Sequence, residues 1–228
     1  MTEAIIGVET APNQPEAAGF VLAGGRSSRM GCDKALVSLD GRPLVGHALY
    51  LLQQAGLWTS IAGGQPALAR FAPMVEDRDP GLGPLSGICA ALQSMVAHWA
   101  VFIPVDLPLL PPSLVECLLQ HARTTGCTVT VPAVNGFAQT FPAVLHRSAL
   151  PLLERELEAG RGGCFSGFQV VAADAGEKVT VLPVESLVQC GQVADPHLLP
   201  AAWWFLNVNT PENLRRAELH SSRVHRVS

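Results

Sequence analysis

Apolar residues along this chain fall into short runs separated by longer amphipathic stretches, the alternation expected of an α/β fold. Residues 19–23 (GFVLA) predict a buried first strand that runs straight into glycines. Residues 44–55 follow Pro43 and keep Leu44, His47, Ala48, Leu51 and Leu52 on one helical face. A short strand is predicted over 57–62. A helix over 84–97 follows, with Pro84 in its first turn and Leu85, Ile88, Leu92 and Met95 as its apolar stripe. Residues 99–105 (WAVFIPV) are almost continuously apolar, as a central parallel strand covered on both faces should be. That run ends at Asp106, and Pro111 and Pro112 open a helix through Arg123. Strands at 128–132 and 140–145 and a helix at 149–159 complete the regular part. From 168 to 200 the periodicity weakens, and this segment is expected to be an insertion. Residues 205–208 predict a last strand, and Thr210-Pro211-Glu212 a helix start with Thr as N-cap and Pro at N1.

The expected architecture is one domain over 19–228: Rossmann-like, with a mostly parallel sheet and helices on both faces. Composition agrees with a well-buried core, since 48% of the 228 residues are hydrophobic and only 15% charged. A net charge of -4 argues against a general affinity for nucleic acid or anionic membrane. No apolar run reaches the roughly 18–20 residues that span a bilayer. Residues 1–18 carry Glu3, Glu9 and Glu16, no Lys or Arg, and Pro12 and Pro15. They read as a flexible extension without the basic start of a signal peptide. The six cysteines form no CxxC pair and the seven histidines no HxxxH pair, so reduced thiols in a cytoplasmic protein are expected.

The most informative stretch is Leu22-Ala23-Gly24-Gly25-Arg26-Ser27-Ser28-Arg29-Met30-Gly31-Cys32-Asp33-Lys34. It follows a strand, where open parallel sheets gather their ligands. Gly24 and Gly25 let backbone N–H groups approach phosphate oxygens, and Arg26, Arg29 and Lys34 bring positive charge to the same place. The loop is neither a GxxxxGK[ST] phosphate loop nor a GxGxxG dinucleotide loop. Ser27 and Ser28 have no nearby His base and are not candidate nucleophiles. Asp106 closes a buried apolar strand, where a bare carboxylate would be costly. Either a magnesium ion shared with phosphates or a helix N-cap role answers that cost.

The glycine loop, read as L-A-G-G-x-S-x-R-M-G-x-D-K, resembles the signature of nucleoside-triphosphate-dependent nucleotidyltransferases, and among them the molybdenum cofactor guanylyltransferases. Further motifs in the same order carry the resemblance: Gly41-Arg42-Pro43-Leu44; Glu76-Asp77 followed by Pro80-Gly81-Leu82-Gly83-Pro84-Leu85-Ser86-Gly87; Val105-Asp106-Leu107-Pro108; and Asn207-Val208-Asn209-Thr210-Pro211-Glu212. It extends over residues 19–217 and implies the fold of the nucleotide-diphospho-sugar transferases. It implies an enzyme that moves GMP from GTP to the terminal phosphate of molybdenum-molybdopterin, releasing pyrophosphate, with Mg2+ as cofactor. Molybdoenzyme-maturation proteins would then be further partners.

By position, the resemblance makes Leu22, Ala23, Gly24, Gly25, Arg26, Arg29 and Asp77 nucleotide contacts. Lys34 would bind the triphosphate and Asp106 the metal, and these two form the catalytic pair. Asn209 is a candidate contact for metal or pterin, or a turn residue ahead of Thr210. Where many members carry Asn at the end of the second strand, this chain reads Ala62-Gly63-Gly64, so a contact there would fall to the backbone. Arg78 and Asp79 read as solvated or loop-fixing, and Trp203 and Trp204 as core anchors rather than a stacking platform. The segment 168–200 is expected to lie outside the nucleotide site. Competing readings are CMP transfer to the same pterin, sugar-phosphate activation, and a non-catalytic nucleotide-binding partner of molybdoenzymes. Leu-Ala-Gly-Gly, as opposed to Leu-Ala-Ala-Gly, favours the guanylyl branch.

Overall fold

A computed structural model describes residues 15–24, 33–77, 82–195 and 198–221. The first strand, β1 (Ala17–Leu22), begins two residues earlier than the apolar pattern indicates. Residues Ala17 and Ala18, expected in the extension, thus belong to the sheet, and the Glu16 carbonyl accepts from the amides of His98 and Trp99. A 3-10 turn over Lys34–Leu36 leads into a small hairpin of β2 (Ser38–Leu39) and β3 (Arg42–Pro43), closed by Asp40-Gly41. Helix α1 (Leu44–Gln54) and strands β4 (Trp58–Ala62) and β5 (Met74–Val75) follow. Next come α2 (Pro84–Ser94), β6 (Trp99–Pro104) and α3 (Pro112–Thr125). Both helices begin with Pro at the first turn, where its missing N–H removes no intrahelical bond.

The chain continues through β7 (Val129–Val134), β8 (Phe137–Ala138), β9 (Ala143–His146), α4 (Leu150–Glu158) and α5 (Cys164–Asp174). It ends with β10 (Thr180–Pro183), α6 (Val184–Gln189), α7 (Ala201–Trp204) and α8 (Pro211–Ser221). The main sheet has eight strands in the order β10-β7-β9-β6-β1-β4-β5, with β8 paired to β7. Strand β1 is parallel to both β4 and β6, and β10 is parallel to β7. Strand β9 runs antiparallel between β6 and β7, so those two point the same way as β1. The carboxyl ends of β1, β4, β5, β6 and β7 therefore share one edge.

Side chains alternate across a strand, and here each side meets helices. Val21, Val101 and Ile103 pack with α1 and α3 residues such as Leu52, Leu114 and Leu118. Phe20, Leu22 and Phe102 pack on the other face with Leu85, Ile88 and Leu92 of α2 and Phe168 of α5. Phe20 and Phe102 sit opposite each other in register, their rings stacked 5.5 Å apart. Covering both faces explains why these strands read as unbroken apolar runs.

Two sequence expectations are corrected here. The segment 168–200 does not stand apart as an insertion: Phe168, Val171 and Ala172 are buried in the α5 face, and β10 adds an edge strand along β7. Its pattern is weak because an edge strand such as β10 is only half covered. The start of α5 also precedes 168, which hides its helical period. Residues 205–208 form no strand. They follow α7 irregularly, and Val208 is buried against Leu39, Leu44 and Ala217 rather than in a ladder. Trp204 is a core residue, its indole N–H donating to Asp195 Oδ2 and the Leu199 carbonyl, both at 3.1 Å. Trp203 packs against His220 and lies under the Arg216 guanidinium.

Candidate functional site

The shared carboxyl edge collects the candidate residues. Leu22 ends β1, and the Ala23 amide donates to the Ala62 carbonyl at 3.1 Å, tying the start of the glycine loop to the end of β4. Gly24 then lies beside Gly63, where a Cβ built on Gly63 would be 3.5 Å from the Gly24 backbone and 4.0 Å from Asp77 Cβ. Gly64 has φ +89, and a Cβ there would come within 2.8 Å of Leu68 and 3.1 Å of Ala23. Only glycine meets both demands, so the departure from Asn at this strand end leaves a surface made of backbone. Gly25, Arg26 and Arg29 lie outside the described residues, as do Ser27, Ser28, Arg78 and Asp79.

Lys34 is delivered by its own short turn. The Asp33 carboxylate accepts from the Ala35 amide at 3.0 Å, and Ala35 is buried, which anchors the backbone and leaves the Lys34 side chain to reach along the sheet edge. Its ammonium donates to Asp106 Oδ2 at 2.6 Å and also to Asn209 Oδ1. Residues 72 and 175 positions away thus meet at one cation. The Lys34 and Asp106 side chains keep only 17% and 16% exposure, little enough for the pair to feel a reduced dielectric. Asp106 Oδ1 is buried with no hydrogen-bond partner among the described residues.

The alternative role for Asp106, capping a helix, does not hold. The N-cap position of α3 is Pro111, five residues on. Instead the Asp106 carbonyl accepts from the Val208 amide at 2.9 Å, and Thr210 Oγ1 accepts from the Asn213 amide at 3.2 Å. These bonds pin the C-terminal Asn-Val-Asn-Thr segment over the end of β6 and start α8. Asn209 is thereby a partner of Lys34 as well as a turn residue.

Asp77 follows β5, and its Oδ1 accepts from the hydroxyl of Ser86 in the first turn of α2. Ser86 has no role on sequence alone. Ser86 sits in a quoted motif, but its significance lies in a contact across a loop. Neither Cys89 nor Cys164 offers a nucleophile beneath the site, because burial pushes both thiols up to about 12. No group of three or more His, Cys, Asp or Glu side chains is arranged for a metal among the described residues. The chemistry available is cationic and hydrogen-bonding, suited to a phosphate-rich ligand rather than to covalent catalysis.

Comparison with known proteins agrees. Residues 19–175 match the family model described as a MobA-like NTP transferase domain. The molybdenum cofactor guanylyltransferase of Vibrio atlanticus is 32% identical over 198 residues, covering 85% of this chain and 91% of that protein. A probable molybdenum cofactor guanylyltransferase of Pelotomaculum thermopropionicum is 29% identical over 219 residues, covering 93% and 98%. The crystal structure of molybdopterin-guanine dinucleotide biosynthesis protein A from Archaeoglobus fulgidus superposes with a TM-score of 0.72 at 26% identity, covering 90% of this chain and 99% of that one. With Gly24, the strand-end aspartate and its paired lysine at one edge of the sheet, the chain belongs to the MobA-like NTP transferase family, groups there with the molybdenum cofactor guanylyltransferases, and is a nucleotidyltransferase.

Proposed function

We propose that this chain transfers GMP from GTP to the terminal phosphate of molybdenum-molybdopterin in the cytoplasm, releasing pyrophosphate. The observation that carries the reading is the meeting of Lys34, Asp106 and Asn209 at the carboxyl edge of the sheet, beside the Gly24–Gly63 surface. A ligand laid along that edge reaches backbone at one end and a cation at the other, as a nucleoside triphosphate requires.

The residues present fit Mg2+. The buried Asp106 Oδ1, without a hydrogen-bond partner among the described residues, and the Asn209 Oδ1 are hard oxygen donors, and the Lys34 ammonium already lies between Asp106 and Asn209. Two such donors suit an ion that takes its remaining ligands from substrate phosphates and water. When bound, the ion would neutralise triphosphate charge. Lys34 would turn from its carboxylate partner to the phosphates and stabilise the charge of the departing pyrophosphate. Without substrate, Asp106 and Asn209 hold the ammonium at the carboxyl edge of the sheet. The acceptor phosphate is already anionic at neutral pH, so attack on the α-phosphorus in line needs no strong base. The protein's task is orientation and charge neutralisation.

Guanine is supported by the Leu22-Ala23-Gly24-Gly25 sequence and by the open side of Gly24, where a Cβ would meet no atom of the described residues within 4 Å, which leaves backbone donors and acceptors accessible to a base. A site satisfied by guanine leaves buried groups unpaired when cytosine enters, a penalty of about 1–3 kcal/mol per group and enough for about tenfold discrimination. Competition between GTP, ATP and CTP for magnesium-dependent, molybdopterin-dependent pyrophosphate release tests this. GTP is expected to win by about tenfold or more. CTP winning would move the chain to cytidylyl transfer, and no release with any nucleotide would favour a non-catalytic binding partner.

A further inference from the structure

We infer that Ser86 is a positioning residue that sets the Asp77 carboxylate for the nucleoside half of the substrate, a deepening that rests on the reading of Asp77 as a nucleotide contact. Asp77 leaves β5 at the point where three strand ends meet. The Gly63 amide donates to the Val75 carbonyl at 3.1 Å, and the Cβ direction of Gly63 faces both Gly24 and Asp77. An ionised carboxylate accepts and never donates, so it is repelled by the triphosphate and suits donors of the base or ribose. Whether it meets them depends on its rotamer, because the oxygens of an aspartate on an irregular segment sweep a wide arc.

Ser86 restricts that arc. It is a buried polar residue, 4% exposed, with its hydroxyl directed to Asp77 Oδ1. With water excluded, the hydroxyl proton has the carboxylate to go to, and a hydrogen bond to a charged acceptor is among the stronger ones available. The platform under Ser86 is itself fixed. Gly87 brings α2 against the end of β4, so that a Cβ there would touch Ala62 at 3.8 Å. Behind the approach to α2, the Leu82 carbonyl would be only 2.7 Å from a Cβ on Gly162, in the turn between α4 and α5. That turn is clamped by Arg161, whose guanidinium donates twice to Glu156 at 2.6 and 2.7 Å. The hydrogen bond from Ser86 thus ties the Asp77 carboxylate to a rigid helix start.

A purely structural tie between loop and helix would move stability and leave nucleotide affinity alone; a positioning role does the reverse. The experiment measures GTP dissociation constants with magnesium, kcat and melting temperature for Ser86→Ala, Asp77→Ala and the double variant. Ser86→Ala is expected to weaken GTP binding by about tenfold with kcat within about twofold, the loss of one oriented charged hydrogen bond. In the Asp77→Ala background, Ser86→Ala should add almost nothing, because the two act as one unit. Unchanged GTP affinity in Ser86→Ala, while Asp77→Ala weakens it, overturns the inference and leaves Asp77 in place. A melting temperature that falls with affinity intact in the folded fraction also overturns it. If Asp77→Ala itself binds GTP normally, the nucleotide role of Asp77 fails and the inference with it.

Discussion

Asp106→Asn is expected to lower turnover by about a hundredfold or more while the fold persists, the scale of losing one preorganised electrostatic contact. The amide is isosteric, its oxygen still accepts from Lys34, and the Asp106 carbonyl keeps its bond from Val208. Neutralising Asp106 frees a buried oxygen that has no partner among the described residues from carrying charge, but it also weakens the ion pair with Lys34, so the two effects oppose each other. The melting temperature without ligand should therefore stay close to that of the parent. The rise produced by magnesium with GTP should shrink, since stabilisation by a ligand follows its affinity for the native state. Turnover, and melting with and without magnesium and GTP, check both halves. A folded variant with near-parental turnover sinks the metal assignment.

Lys34→Ala is expected to cost a similar factor, about a hundredfold in kcat/KM, shared between weaker nucleotide binding and slower pyrophosphate departure. The sequence pattern, read alone, predicts almost no effect on stability, as for an exposed lysine. The geometry revises that expectation. Removing the ammonium takes the donor away from the largely covered Asp106 Oδ2, with the exposed Asn209 Oδ1 free to turn to water, a loss of about 1–2 kcal/mol. Combining Lys34→Ala with Asp106→Asn should restore part of that stability, because the neutral amide tolerates the missing cation better. Steady-state kinetics and melting of the single and double variants measure this. Normal turnover by the folded fraction of Lys34→Ala would make the lysine a structural counter-ion only.

The places where sequence reading succeeded share a cause: each signal was local. Pro84, Pro112 and Pro211 mark helix starts because a residue without an N–H fits only the first turn, whatever surrounds it. Thr210 caps because its side chain reaches an amide three residues away. The run 99–105 declares a strand covered on both faces because no other element tolerates so little polarity. The start of the glycine loop, Leu22 to Gly24, could be placed at a strand end for the same reason. Where the cause of apolarity was distant, the reading failed. Val208 is apolar because it plugs a pocket formed by Leu39, Leu44 and Ala217, yet it looks like part of a strand. Trp204 and Asp195 depend on each other through an indole N–H that no periodicity reveals.

From the sequence alone came the fold class, the bounds of most helices, and the expectation that the glycine loop, Lys34 and Asp106 belong to one site. Only tertiary structure could bring Lys34 and Asp106 together across 72 residues, add Asn209 from 175 residues away, and insert β9 antiparallel between β6 and β7. It also drew 168–183 into the sheet and its helical layer, and gave Ser86 a carboxylate to orient. The division has a physical origin. Backbone conformation is decided by side chains a few residues apart, which a linear pattern displays. The pairing of charges, the order of strands and the worth of a buried hydroxyl depend on which surfaces the closed chain removes from water.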